Sequence, residues 1–135
     1  MKKPLWLLVI AALLLSPAFV ACNKQIDPQG GAAYEQITPA KAKELIDSEK
    51  DYIILDVRTP EEFAEGHIAG AILLPDDEIG ENASHVLTDK DQLILVYCRS
   101  GRRSKNAASK LAALGYTNIK EFGGIMDWEY GTVTE

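Results

Sequence analysis

"QLILVYCRSGRRSKNAASKLAALG" (Gln92–Gly115) carries three structural signals in succession. Gln92–Tyr97 is an apolar run rich in β-formers, which predicts a buried strand. Cys98 ends that run, and a tight polar loop with Gly101 follows. From Arg102 to Leu114 the apolar positions Ala107, Ala108, Leu111, Ala112 and Leu114 fall near helical spacing, and Gly115 is a natural stop. Strand, loop and helix thus meet at a thiol. The chain has four arginines, Arg58, Arg99, Arg102 and Arg103, and three of them crowd this loop.

The same grammar repeats outward from this stretch. Tyr52–Val57 and Ala71–Leu74 read as short strands, and Asn118–Phe122 as a last one. Thr38 before Pro39 is a helix start, with Ala40, Leu45 and Ile46 as its buried stripe. Thr59, Pro60 and Glu62 make a capping-box signature for a helix to about Glu65, ended by Gly66. Asp76–Leu87 reads as irregular or weakly helical, and Gly123–Trp128 as a turn or short helix. The strands are continuously apolar, not alternating. That is the pattern of an α/β fold with a small parallel sheet flanked by helices on both faces. Ligands in such sheets sit beyond the carboxyl ends of strands, where Asp56, Arg58 and Cys98 lie.

The chain has 135 residues and a formal net charge of −6. Its first 21 residues contain Lys2 and Lys3 and no acid, so the remainder is more acidic still. That argues against a nucleic-acid partner, which needs a basic face. The two cysteines, Cys22 and Cys98, are too few for a disulfide framework, and no Cys/His cluster has zinc spacing. No metal and no cofactor is expected.

The amino terminus reads as an address. A basic pair precedes an apolar run from Leu5 to Leu15, which Ser16 and Pro17 interrupt. A permanent anchor helix needs about 20 apolar residues. Ala21 before Cys22 resembles the lipobox of bacterial lipoproteins, although Phe19 stands where leucine is usual. The expected organisation is a signal peptide over 1–21, a lipidated flexible tether over 22–33 beginning at Cys22, and a domain over 34–135. The domain would then face an oxidising compartment outside the cytoplasm, on a bacterial membrane it touches through lipid alone.

A cysteine reacts as thiolate, which cations and helix N-termini favour. The loop offers both: Arg99, Arg102 and Arg103 supply charge, Ser100 is polar, and Gly101 permits a turn that gathers backbone amides into an anion-binding nest. Cys98 is the candidate nucleophile, and Arg99–Arg103 the candidate anion site. Asp56 reads either as a general base or as a residue that accepts from loop amides and supports the site. Arg58 is expected to pair with a nearby carboxylate such as Glu62. His67 invites a Cys/His dyad.

Across about Tyr34 to Trp128 the chain resembles the single-domain rhodaneses, a thiosulfate sulfurtransferase-like family. "LDVRTPEEFAEGHIAGA" (Leu55–Ala71) is similar to the family's first signature, "CRSGRRS" (Cys98–Ser104) to its active loop, and "GGIMDW" (Gly123–Trp128) to its closing Gly-Gly-x-x-x-Trp pattern. The resemblance implies a rhodanese fold. It also implies a sulfurtransferase in which Cys98 takes a sulfane sulfur from thiosulfate or a persulfide and passes it to a thiol, cyanide or a protein acceptor. It makes His67 a structural residue at a turn. Related folds with one more residue between cysteine and arginine are phosphatases or arsenate reductases; here Ser104 occupies that position. A sulfur carrier or redox partner-binding module that does not turn over is the other reading.

Overall fold

Strand β4 (Leu93–Cys98) is the centre of the molecule, and each of its six residues is buried. The computed structural model describes residues 33–135; the expected signal peptide, most of the tether and Cys22 lie outside the described residues. Around β4 the strands run in the order β1-β5-β4-β2-β3. They are β1 (Glu35–Gln36), β2 (Tyr52–Asp56), β3 (Ile72–Leu73) and β5 (Ile119–Gly124). Every pairing is parallel.

The continuous apolar character of β4 follows from cover on both faces. Ile94, Val96 and Cys98 join one core with Leu55, Leu111 and Ile79. Leu93, Leu95 and Tyr97 join another with Ala42, Ile54 and Phe122. Helices α3 (Ile79–Val86) and α4 (Arg102–Ala113) supply the first core. Helix α1 (Pro39–Ser48) supplies the second. Each fully buried aliphatic side chain contributes about 1.5–3 kcal/mol. In α4 the inward positions are Ser104, Ala107, Ala108, Leu111 and Ala112. Mostly small, they seat the helix close to the sheet. Gly115, at φ 94°, ends it in the left-handed region.

Local chemistry sets the helix starts. Thr38 Oγ1 accepts from the Lys41 amide at 3.1 Å, and Pro39 opens α1. In α2 (Pro60–Glu65) the capping box is complete: Glu62 N–H donates to Thr59 Oγ1 at 3.3 Å, and Thr59 N–H donates to Glu62 Oε2 at 3.0 Å.

One expected core position needs correction. Ala40 is exposed; the stripe of α1 is Ala42 with Leu45 and Ile46, because the helix turns its 42–45–46 face to the sheet. Of the two readings of Asp76–Leu87 the helical one holds, since a 3₁₀ turn (Asp76–Glu78) leads directly into α3. Strand β1 went unread; two residues long, it gains strand geometry only from pairing with β5. The carboxyl tail is also tied down. His67 and Val133 exchange backbone hydrogen bonds at 2.8 Å in both directions, and Trp128 Nε1 donates to Gly131 O at 3.0 Å.

Candidate active site

Cys98 closes β4 and is 1% exposed. The Gly101 amide donates to its Sγ at 3.0 Å. That donation depends on Gly101 lying at φ 107°, a left-handed conformation that side chains resist. The loop rests on the end of β5. A Cβ on Gly124 would sit 2.0 Å from Arg99 O, so only glycine admits the loop there. Met126 N–H donates to the same Arg99 carbonyl at 3.2 Å. Register slips between β4 and β5 at this point, from Val96 opposite Glu121 to Cys98 opposite Gly124. The extra residue lies on β5, while β4 keeps its alternation through Cys98.

The arginines divide into two kinds. Arg99 and Arg102 are exposed, and their side chains make no hydrogen bond or ion pair with any described residue. Arg103 is held. Its guanidinium forks onto Glu62, with Nη1 to Oε2 at 2.7 Å and Nη2 to Oε1 at 2.9 Å. The Arg103 bonds hold the Glu62 carboxyl down at about 2, against burial, with the Thr59 amide assisting. Glu62 in turn raises Arg103 above its ordinary value. A cavity of about 230 Å³ lies beside this pair, bordered by Val57, Thr59, Pro75, Asp77 and Arg103. Among the described residues no cluster of His, Cys, Asp and Glu could hold a metal ion.

Comparison with known proteins places this geometry. Residues 38–130 match the family described as "Rhodanese-like domain". The chain belongs to that family. It is 38% identical over 73 residues to the thiosulfate sulfurtransferase PspE of Escherichia coli, a match covering 54% of this chain and 70% of that one. It is 35% identical over 100 residues to the thiosulfate sulfurtransferase GlpE of Pseudoalteromonas translucida, covering 72% of this chain and 90% of that one. The crystal structure of a rhodanese-related protein from Thermoplasma volcanium superposes with a TM-score of 0.66 at 35% identity, covering 76% of this chain and all of that one. The protein is sulfurtransferase-like.

The rhodanese signature Leu55–Ala71 builds the support of the site in a way the sequence did not suggest. Arg58 pairs with Asp56, not with Glu62. Arg58 Nη2 donates to Asp56 Oδ2 at 2.6 Å and Nε to Oδ1 at 2.9 Å. Glu62 is already engaged by Thr59 and Arg103. Nor does Asp56 reach the Cys98 loop amides. It accepts from the Arg58 amide at 3.0 Å and from the Tyr97 hydroxyl at 2.6 Å. Strand parity is the reason: Asp56 lies opposite Tyr97 in register, one residue from Cys98 and on the other face. Tyr97 then accepts from the Ile68 amide at 3.1 Å. Burial, followed by the bond to Asp56, raises the Tyr97 phenol well above its ordinary value. Burial pulls the Arg58 guanidinium down, but its bond to Asp56 and the carboxylate charge outweigh that and raise it.

His67 makes no dyad with Cys98. Its Nδ1 lies 2.8 Å from Phe63 O and its ring stacks on Phe63 at 3.7 Å. His85 is exposed on α3. Two residues beside the thiol were missed: Ser104, which occupies the buried face of α4, and Glu121, buried on β5. Helical phase signalled the first. The second had no local signal, because a glutamate in a predicted strand reads as solvent-facing.

The Arg103–Glu62 fork predicts a pH signature. Glu62 titrates lower in the folded chain than its ordinary 4.5. Its stabilisation is therefore complete above pH ~4.5 and is lost as pH falls toward ~2. Both side chains are about a quarter exposed, so solvent screening leaves about 1–2 kcal/mol. Glu62→Gln keeps a capping-box side chain. Its urea midpoint at neutral pH should fall accordingly, and the gap to the native chain should close as pH drops through that window. A gap constant down to pH ~2 would mean the fork contributes nothing.

Proposed function

We propose that this rhodanese-like protein moves a sulfane sulfur from thiosulfate or a persulfide donor to a thiol, cyanide or a protein acceptor through a persulfide on Cys98. The observation that carries this reading is the Gly101 amide at 3.0 Å from the sulfur. It is a fixed donor that favours negative charge on Sγ. The Cys98 thiolate attacks the outer sulfur of thiosulfate. A sulfur–sulfur bond forms as another breaks, and sulfite leaves with the bonding pair. The acceptor then attacks the outer persulfide sulfur and the Cys98 thiolate departs.

Arg99 and Arg102, free of partners among the described residues, draw the anion to the loop. Ser100 and Gly101 present polar backbone to it, and Arg103 adds charge from a position fixed by Glu62. Asp56 and Arg58 support the strand end from its opposite face. The test is mass spectrometry of the purified domain after thiosulfate. One added sulfur on Cys98 is expected. No gain, together with hydrolysis of a phosphate monoester, would support the phosphatase reading instead.

Burial of Cys98 to 1% exposure favours one alternative, a carrier that holds its sulfur without rapid turnover. Multiple-turnover thiocyanate formation separates the two readings, since a carrier would stop after one equivalent.

The membrane address belongs to the same proposal. Residues 1–21 are removed as a signal peptide, Cys22 takes lipid, 22–33 tether the domain, and 34–135 act outside the cytoplasm. The support is the basic start, the apolar run broken by Pro17, and Ala21 before Cys22. Among the described residues no helix is long and apolar enough to cross a membrane. Cells expressing the native chain and Cys22→Ser should differ on fractionation, with only the native chain membrane-bound and labelled by a fatty-acid analogue. A soluble, unlabelled native chain outside the cytoplasm would make the segment an ordinary secretion signal.

A further inference from the structure

Glu121 is 2% exposed, yet no described cation pairs with it. Its partners among the described residues are neutral: the Ser104 hydroxyl donates to Oε1 at 2.6 Å and the Gly123 amide donates to the same oxygen at 2.8 Å. Burying a carboxylate without a counter-charge is costly, and an amide side chain could accept the same two bonds more cheaply. A structural role therefore does not account for the acid. What lies on the far side of Ser104 does. The Cys98 thiol donates to Ser104 Oγ at 3.4 Å. Ser104 is completely buried, as is Cys98 to within 1%.

Ser104 has one proton and three acceptors within reach. Gly101 O lies at 3.0 Å, Gly123 O at 3.3 Å, and Glu121 Oε1 at 2.6 Å. The shortest bond is the one to the ionisable group, and charge-assisted bonds are the strongest. With its proton committed to Glu121, Ser104 turns a lone pair to the sulfur and accepts the thiol proton. A directed chain results, from S–H to the serine oxygen and from the serine hydroxyl to the carboxylate.

We infer that Ser104 and Glu121 form a buried proton relay that ionises Cys98 without exchange with solvent, Ser104 as a catalytic residue and Glu121 as a positioning residue acting through it. The inference rests on Cys98 being the sulfur-transfer nucleophile. In the forward direction the thiol proton passes to Ser104 Oγ as the serine proton passes to Glu121 Oε1. The S–H electron pair stays on sulfur, serine is unchanged, and Glu121 becomes neutral. The three residues carry one negative charge before and after; it moves from carboxylate to sulfur, where the Gly101 amide receives it. When an acceptor removes the persulfide sulfur and Cys98 leaves as thiolate, the relay runs backward and returns the proton. Other charged groups are arranged to leave this exchange alone. Arg103 of α4 acts on Cys98 but is held by Glu62 of α2. Lys120 alternates to the other face of β5 and pairs with Glu35 of β1, and the Asp56–Arg58 pair lies on the Tyr97 face of β4.

The test is the rate of Cys98 alkylation by iodoacetamide against pH, which needs no sulfur donor. In the native chain an internal proton transfer adds a pH-independent contribution to that rate, so it climbs less than tenfold per pH unit around neutrality. Glu121→Gln keeps an acceptor for Ser104 and Gly123 but cannot take the proton. It should react about a hundredfold more slowly at neutral pH. Its rate should then climb about tenfold per pH unit, through the range where an ordinary thiol ionises alone. Ser104→Ala leaves Glu121 its Gly123 bond, so it tests the same slope should the first variant fail to fold. Native and variant profiles of the same shape, or a loss in the variants that is equal at every pH, would overturn the relay. Sulfite release from thiosulfate, measured alongside, reports on the sulfurtransferase reading separately: a native chain that alkylates with the shallower pH slope but releases no sulfite keeps the relay and loses that reading.

Discussion

Cys98→Ser should reduce thiosulfate-dependent thiocyanate formation to background while the far-UV spectrum and urea midpoint stay near those of the native chain. The site explains both halves. Serine nearly keeps the volume of a side chain buried among Val96, Ala107 and Ala108, so no sizeable cavity opens. Its hydroxyl can still accept from the Gly101 amide and bond to Ser104. What is lost is the accessible anion, because a hydroxyl has no thiolate-like state near neutral pH and forms no persulfide. Measurable turnover in this variant would place the nucleophile elsewhere.

Asp56→Asn should destabilise the domain by about 3–5 kcal/mol, a large share of the roughly 5–15 kcal/mol that holds a small domain together. The volume is conserved, so the loss is electrostatic. Arg58 is 5% exposed, and Asp56 supplies its counter-charge. Removing that charge leaves a buried guanidinium with neutral acceptors alone, the asparagine oxygen and the Gly66 carbonyl at 2.7 Å. The Tyr97 hydroxyl loses its charged acceptor in the same step. Urea unfolding checks the loss of stability. Below the transition, the variant should retain sulfur transfer in proportion to its folded fraction, because Asp56 faces away from Cys98. A variant of native stability without activity would restore Asp56 as a general base.

The site is linked to the fold through Arg103. One end of its fork is the helix that begins at the active loop; the other is the capping box of α2. Glu62 therefore serves two bonds that differ in range. The capping box spans three residues, whereas the fork spans 41. Only the shorter could be read from the chain.

Bonds within a few residues follow from the chain, whereas bonds between distant segments follow from strand register. Local chemistry was legible without coordinates. Thr38–Pro39 and Thr59–Pro60 start helices because the partners are three residues away. Gly101 and Gly115 take left-handed turns because no side chain obstructs them. The unbroken apolar runs of β2 and β4 demanded a parallel sheet covered on both faces. The partners of the buried charges were a different matter. Asp56 meets Tyr97, and Arg58 meets Asp56 in place of Glu62, because strand register puts position 56 opposite position 97. Glu121 reaches Ser104 because register sets it opposite Val96, on the face of the sheet that α4 covers. Parity along a strand flips a side chain from one core to the other with a shift of one residue. Which face a charge occupies is therefore decided by the pairing of distant segments, and no window of sequence contains both members of the pair.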